Sequence, residues 1–240
     1  MNESRQGRLS VSETCVEAWE LARKRYGVFV GAGFLCALLQ SPQALMSSWP
    51  GVPAWLSSQY TIAATTVFVF GPLTAGALLV AAHSAYRPTP MLRLFAGYRR
   101  YLPIVGIQLL LMILSLPTLL MMPSEAELME GQFGTFWIVI MCQFCVDLVL
   151  QPRLILAYPL CLDKELGSLA ALRLSWQITR GSGFRLSLIY ILTSVVLAVS
   201  AILLLLPLFL FGVPFVFGVV GVLYLRFVGG ESDELVEVFS

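Results

Sequence analysis

Long apolar runs separated by short polar gaps make up nearly all of this chain. Six of them reach or approach the roughly 20 residues that a helix needs to cross the hydrocarbon of a bilayer: Tyr26 to Met46, Tyr60 to His83, Tyr101 to Met122, Phe136 to Leu160, Leu186 to Leu206 and Leu208 to Arg226. The last two form one tract too long for a single crossing. Pro207 marks the reversal between them, because its ring cannot continue the hydrogen bonding of a helix. In the first run the purely apolar part ends at Leu39, before Gln40, Ser41 and Pro42, a length that also suits the core of a signal peptide. The mixed-charge leader ahead of it, and the lack of a small-x-small cleavage site, favour a retained span.

The polar gaps differ in charge. Arg5, Arg8, Arg23, Lys24 and Arg25 precede the first run; Arg87, Arg93, Arg99 and Arg100 follow the second; Lys164, Arg173, Arg180 and Arg185 follow the fourth; Arg226 follows the sixth. The alternate gaps hold no basic residue, and the one after the third run carries Glu125, Glu127 and Glu130. Loops rich in Lys and Arg remain cytoplasmic during insertion, so both termini are expected in the cytoplasm. Tyr26, Tyr60, Tyr101, Phe136 and Trp137 stand at span ends, where amphipathic rings favour the interface, and Trp49 and Trp55 fall in the first outer loop.

Composition agrees with this class. Apolar residues make up 58% and charged residues 12%, against roughly 25% charged in a soluble domain, and a water-soluble fold has no means of hiding so much apolar surface. The expected fold is all-α: a polytopic membrane bundle forming a single domain over 1–240, with a leader over 1–25, six spans over 26–228 and an acidic cytoplasmic tail over 229–240. A net charge of +1 gives no reason to expect nucleic acid as a partner. Cys15, Cys36, Cys142, Cys145 and Cys161 all fall in spans or on the cytoplasmic side, where thiols stay reduced, so no disulfide is expected.

Two basic gaps also carry helical signals. Ser10-Val11-Ser12-Glu13 fits a capping box and predicts a helix from Val11 to Arg25, with Cys15, Ala18, Trp19, Ala22 and Tyr26 along its apolar face. Between about 163 and 181, Leu166, Leu169, Leu172 and Trp176 form a second apolar stripe. Both are read as cytoplasmic interfacial helices, with packing at the floor of the bundle the plainer role and partner binding the alternative.

Fragments recur along the chain. Arg25-Tyr26 with Val30-Gly31 returns as Arg100-Tyr101 with Val105-Gly106; Leu92-Arg93-Leu94 returns as Leu172-Arg173-Leu174; Pro72 returns as Pro152, and Pro214 holds a similar place in the sixth run. The simplest unit is a basic amphipathic segment, a span leaving it and a proline-bearing return span, repeated three times.

Candidate chemistry is sparse. Asp147 sits near the middle of the fourth run, where an ionised carboxylate is costly unless paired or hydrated. It is either an ion-binding or proton-relay group, or a structural carboxylate bonded to Gln108, a Ser or Thr, or an Arg; the structural role is favoured. Arg153 follows six residues later, about 120° round the helix, with a stem long enough to snorkel to the headgroups. Cys142-x-x-Cys145 lacks further ligands for zinc and reads as ordinary core. His83, the single histidine, reads as an interfacial polar residue rather than a ligand. No Ser-His or Ser-Lys constellation and no Gly-rich phosphate loop occurs, so no catalytic, cofactor or metal site is expected. Gly27-x-x-x-Gly31, Gly33-x-x-x-Ala37, Gly71-x-x-x-Ala75 and Ala77-x-x-x-Ala81 predict close packing of the first two spans on each other.

Arg153-x-x-x-Ala157-x-Pro159-Leu160-x-x-Asp163, followed by Gly167, Ala171-Leu172, Ser175-Trp176 and Thr179-x-Gly181, resembles the signature of an uncharacterised bacterial six-helix integral membrane family, related to the membrane domain ahead of the catalytic barrel in some glycerophosphodiester phosphodiesterases. The resemblance implies a bacterial inner-membrane protein without catalysis of its own, since chemistry in the fused relatives belongs to the soluble domain. It also implies that Arg153, Pro159, Asp163 and Gly181 fix the junction between the fourth span and the inner helix, with Arg153 and Asp163 as an ion pair. The expected function is a non-enzymatic module that organises lipid, a protein partner or a second copy at the cytoplasmic face. The alternative is a small transporter or transport accessory with Asp147 at a midplane site.

Overall fold

The computed structural model describes residues 10–48, 64–86, 88–121, 133–203 and 207–239. The expectations placed on Arg5, Arg8, Arg87, Trp49, Trp55, Tyr60, Glu125, Glu127 and Glu130 lie outside them. The described residues form helices and no strand: α1 (Val11–Lys24), α2 (Tyr26–Ser48), α3 (Gly71–Ser84), α4 (Ala96–Arg99), α5 (Tyr101–Met121), α6 (Phe133–Leu154), α7 (Ala157–Asp163), α8 (Ser168–Ile178), α9 (Gly183–Ile202) and α10 (Val213–Phe239). Thr66–Ser84, Trp137–Asp163, Gly183–Ile202 and Leu208–Gly229 are each long and apolar enough to cross a membrane, while Tyr26–Ala37 and Tyr101–Leu114 are shorter apolar helices.

The prolines shape the return helices. Pro72 and Pro214 cannot donate to the carbonyl four residues back. The chain answers with one wide turn ahead of each, Thr66–Phe70 and Leu208–Gly212, in which the amides of Gly71 and Val213 reach back to Thr66 and Leu208. Such π-type turns accommodate a locally frustrated helix ladder. In the middle unit the break comes later, at Ile155 and Leu156 between α6 and α7, where Pro159 leaves the Ile155 carbonyl without its usual donor.

Contacts between elements run in a closed cycle. The basic segment Met91–Phe95 with α4 lies on α3, α8 lies on α7, and α1 completes the ring by lying on α10. The leaving helices follow the same rule: α2 fits between α10 and α3, α5 between α3 and α6–α7, and α9 between α6 and α10. Within this cycle α3 is buried on every side, which is what an all-round apolar helix requires; Leu73, Val80, Phe29, Ile104, Leu160 and Phe217 are among the core side chains around it. By contrast α6 and α9 leave Ile138, Met141, Phe144, Leu192, Val195 and Val199 exposed.

Close approach is set by four glycines. A Cβ on Gly76 would strike the carbonyl of Leu94, one on Gly97 the carbonyl of Pro72, one on Gly218 the carbonyl of Ala18 and one on Gly221 the carbonyl of Ala81. The glycines singled out from sequence behave differently: Gly33 faces Val213, Gly31 faces Met91, Gly71 faces Gln108, and Gly27 has nothing nearby. The first two spans do touch, but these stripes serve other neighbours, because small-residue spacing does not specify a partner.

The amphipathic faces also need correction. Ser10 caps α1, accepting from the Glu13 amide at 3.5 Å, but the buried side of the helix is Thr14, Ala18 and Ala22, while Trp19 and Tyr26 stay exposed. In α8 the buried positions are Ala171 and Ser175, and Leu169 and Trp176 face outward. Small side chains let these helices bed against the return helices, which turns the bulky ones out. Together with Leu92 (81% exposed), Phe95, Tyr98, Leu102 and Phe184 they form an apolar and aromatic belt around the end of the bundle that carries the basic residues.

Candidate functional site

Polar side chains converge from the ends of α3 and α7 and the middle of α10. His83 stands in the last turn of α3, Asp163 ends α7, and Tyr224 lies on the inward face of α10. His83 Nε2 donates to Asp163 Oδ1 at 2.8 Å, and Tyr224 donates its hydroxyl hydrogen to Asp163 Oδ2 at 2.7 Å. Arg93, from the basic segment on α3, donates Nη1 to His83 Nδ1 at 2.9 Å. A guanidinium can only donate, so Nδ1 must accept and the proton of a neutral His83 sits on Nε2. Each group thereby meets a complementary one.

Chemically this is a lock. The one free lone pair of a neutral imidazole, on His83 Nδ1, is taken by Arg93, while each carboxylate oxygen of Asp163 accepts a bond from another helix and keeps further acceptor capacity. The His83 side chain is 10% exposed and that of Asp163 37%, so the His83–Asp163 pair opens to its surroundings mainly on the carboxylate side. Ion pairs farther out strengthen the same end: Arg226 to Glu17 at 2.7 Å joins α10 to α1, and Arg100 bonds the carbonyl and, at 3.3 Å, the carboxylate of Glu165.

The sequence-derived candidates divide. Asp163 belongs to the lock, but its partners are His83 and Tyr224. Arg153 places its guanidinium 4.5 Å from the centre of the Trp176 ring, in space left open by Gly183. Its carbonyl accepts from Ser175 at 2.5 Å. The expected Arg153–Asp163 pair is therefore replaced by two separate attachments, since the break at Ile155 and Leu156 sends the two ends of the motif to different neighbours. The motif residues nonetheless gather at one joint: Ala157, Leu160, Ala171, Ser175 and Thr179 are buried, and Gly181 takes a φ of 111° that only glycine adopts readily.

Asp147 lies elsewhere, on the peripheral α6, where Gln143 one turn back donates to it at 2.9 Å. Gln108, proposed as a partner from sequence, instead packs on Gly71. Cys142 and Cys145 are exposed on the same helix, and no cluster of metal-ligating residues occurs among the described residues.

His83, read from sequence as an interfacial polar residue, is buried and bonded on both nitrogens, and Tyr224 and Arg93 were not candidates from sequence. A signal for two of them exists: His83 and Asp163 each stand eleven residues beyond their return-helix proline, and Tyr224 stands ten beyond Pro214. No protein-family model, curated protein or solved structure matches the chain.

Proposed function

We propose that the chain is a non-enzymatic, six-span protein of a bacterial inner membrane, with both termini in the cytoplasm, that acts as a scaffold for lipid or a protein partner at its cytoplasmic face. The observation that carries this reading is the Arg93–His83–Asp163–Tyr224 network: where titratable side chains converge, each bonds another and ties helices together. The helical lengths of α2 and α5, 23 and 21 residues, support two crossings beyond the four most apolar ones. The exposed aromatic belt lies on the same segments as Arg23, Arg99, Arg100, Arg173 and Arg180, which supports a cytoplasmic position for that end. Asp147, bonded within its own helix on the outer α6–α9 pair, is a structural carboxylate in this reading. The motif around Arg153 supports kinship with the six-helix family named above.

Orientation is tested by single cysteines at Arg93 and Arg173 in intact cells: labelling only after the inner membrane is opened is expected, and labelling from outside refutes the orientation. Function is tested in proteoliposomes and by crosslinking. Asp147→Asn is expected to keep both fold and crosslinked partners, whereas a pH-driven flux that vanishes in this variant would replace the scaffold with a transporter.

A further inference from the structure

Beside the lock, α1, the end of α3 and α10 enclose an open cleft of about 500 Å³, within the size range of small-molecule sites. Its lining mixes signs: Glu17 and Glu20 stand one to two turns from Lys24 and Arg25 on the same helix, and Val222 with Leu225 forms an apolar wall. Ser84 also lines it. That hydroxyl is 1% exposed and has no hydrogen-bond partner, although a helical serine commonly bonds the carbonyl one turn back, as Thr74 does here to Phe70. A buried hydroxyl without a partner is unfavourable by about 1–3 kcal/mol, so its position calls for something that the chain itself does not provide.

We propose that this cleft binds the headgroup of a zwitterionic phospholipid carrying a primary ammonium and a phosphodiester. Lys24 and Arg25 bond the phosphodiester oxygens, Glu20 accepts from the ammonium beside the existing Arg226–Glu17 pair, and Ser84 contributes one further hydrogen bond deep in the cleft. The glycerol and the first acyl carbons lie against the wall of Val222 and the exposed Leu225. A purely anionic headgroup leaves Glu20 without a counterpart, and a trimethylated ammonium has no N–H to donate to it. The inference rests on the proposed function only in assigning the lipid to the cytoplasmic leaflet.

The test uses the full chain, delipidated in detergent, with phosphatidylethanolamine, phosphatidylglycerol or phosphatidylcholine added at equal concentration and bound lipid counted by native mass spectrometry. Phosphatidylethanolamine is expected to bind about tenfold more tightly than the other two, the size of one charge-assisted bond. Ser84→Ala and Glu20→Gln are each expected to remove about tenfold, with Glu13→Gln, elsewhere on α1, leaving binding unchanged. Equal binding of the three lipids, or a preference that survives Ser84→Ala combined with Glu20→Gln, overturns the proposal. Free phosphoethanolamine competing as well as the whole lipid assigns the cleft to a soluble zwitterion and overturns the lipid assignment. Without lipid, Ser84→Ala is expected to melt no lower than the wild type; a lower melting temperature means that the hydroxyl already has a partner, and overturns the premise. Binding in micelles is insensitive to orientation, so a failure here and a failure of the cysteine labelling are read separately.

Discussion

Tyr224→Phe removes one oxygen from the lock and leaves the ring, which meets Tyr86 edge to face at 6.3 Å, where it was. The lost bond runs 2.7 Å to a carboxylate oxygen, and bonds to charged groups contribute about 1.5–3 kcal/mol. Asp163 is open enough for water to replace the hydroxyl, which places the loss near the lower end, at about 1.5 kcal/mol. At about 2–4 °C per kcal/mol for a chain of this size, the melting temperature should fall by about 3–6 °C, read by tryptophan fluorescence in mild detergent. Asp163→Asn weakens the same bond together with that from His83 and should cost about 2 kcal/mol. Because the two changes share a bond, the double variant should fall short of the sum by about 1 kcal/mol. A neutral Tyr224→Phe, or additivity within about 0.3 kcal/mol, would show that Asp163 does not couple α10 to the other return helices.

Gly76→Ala should destabilise by about 2 kcal/mol or more, since its Cβ meets the Leu94 backbone and overpacking typically costs 1–3 kcal/mol. Gly27→Ala, with nothing within 4 Å, should be neutral or gain up to about 1 kcal/mol from helix propensity; equal effects of the two in thermal unfolding would remove the close-approach account. Arg153→Lys should lower stability by about 1 kcal/mol, because an ammonium does not reproduce the planar stacking on Trp176. A lysine variant that melts with the wild type while Trp176→Leu does not would place the value of the contact in the indole alone.

How far the site was legible depended on which relation was used. The family resemblance implied Arg153 and Asp163 as a pair, and that pair does not form, because a helix with a break near Pro159 does not keep the residues on either side facing one neighbour. Spacing between repeats contained better information. The offset that carries Pro72 onto Pro152 also carries His83 onto Asp163, and these two residues meet in the structure. Arg93 carried no such sign, since its partner is reached only when the basic segment folds back along α3.

Apolar run length was enough to determine a helical fold with helices long and apolar enough to cross a membrane, because insertion energetics act on each segment locally. Tertiary structure decided which face of each amphipathic helix is buried, which glycines admit a neighbour, and that His83, Asp163 and Tyr224 share one network. Those outcomes depend on contacts between segments distant in sequence, such as α1 on α10 and α3 on α7, for which no local periodicity carries a signal.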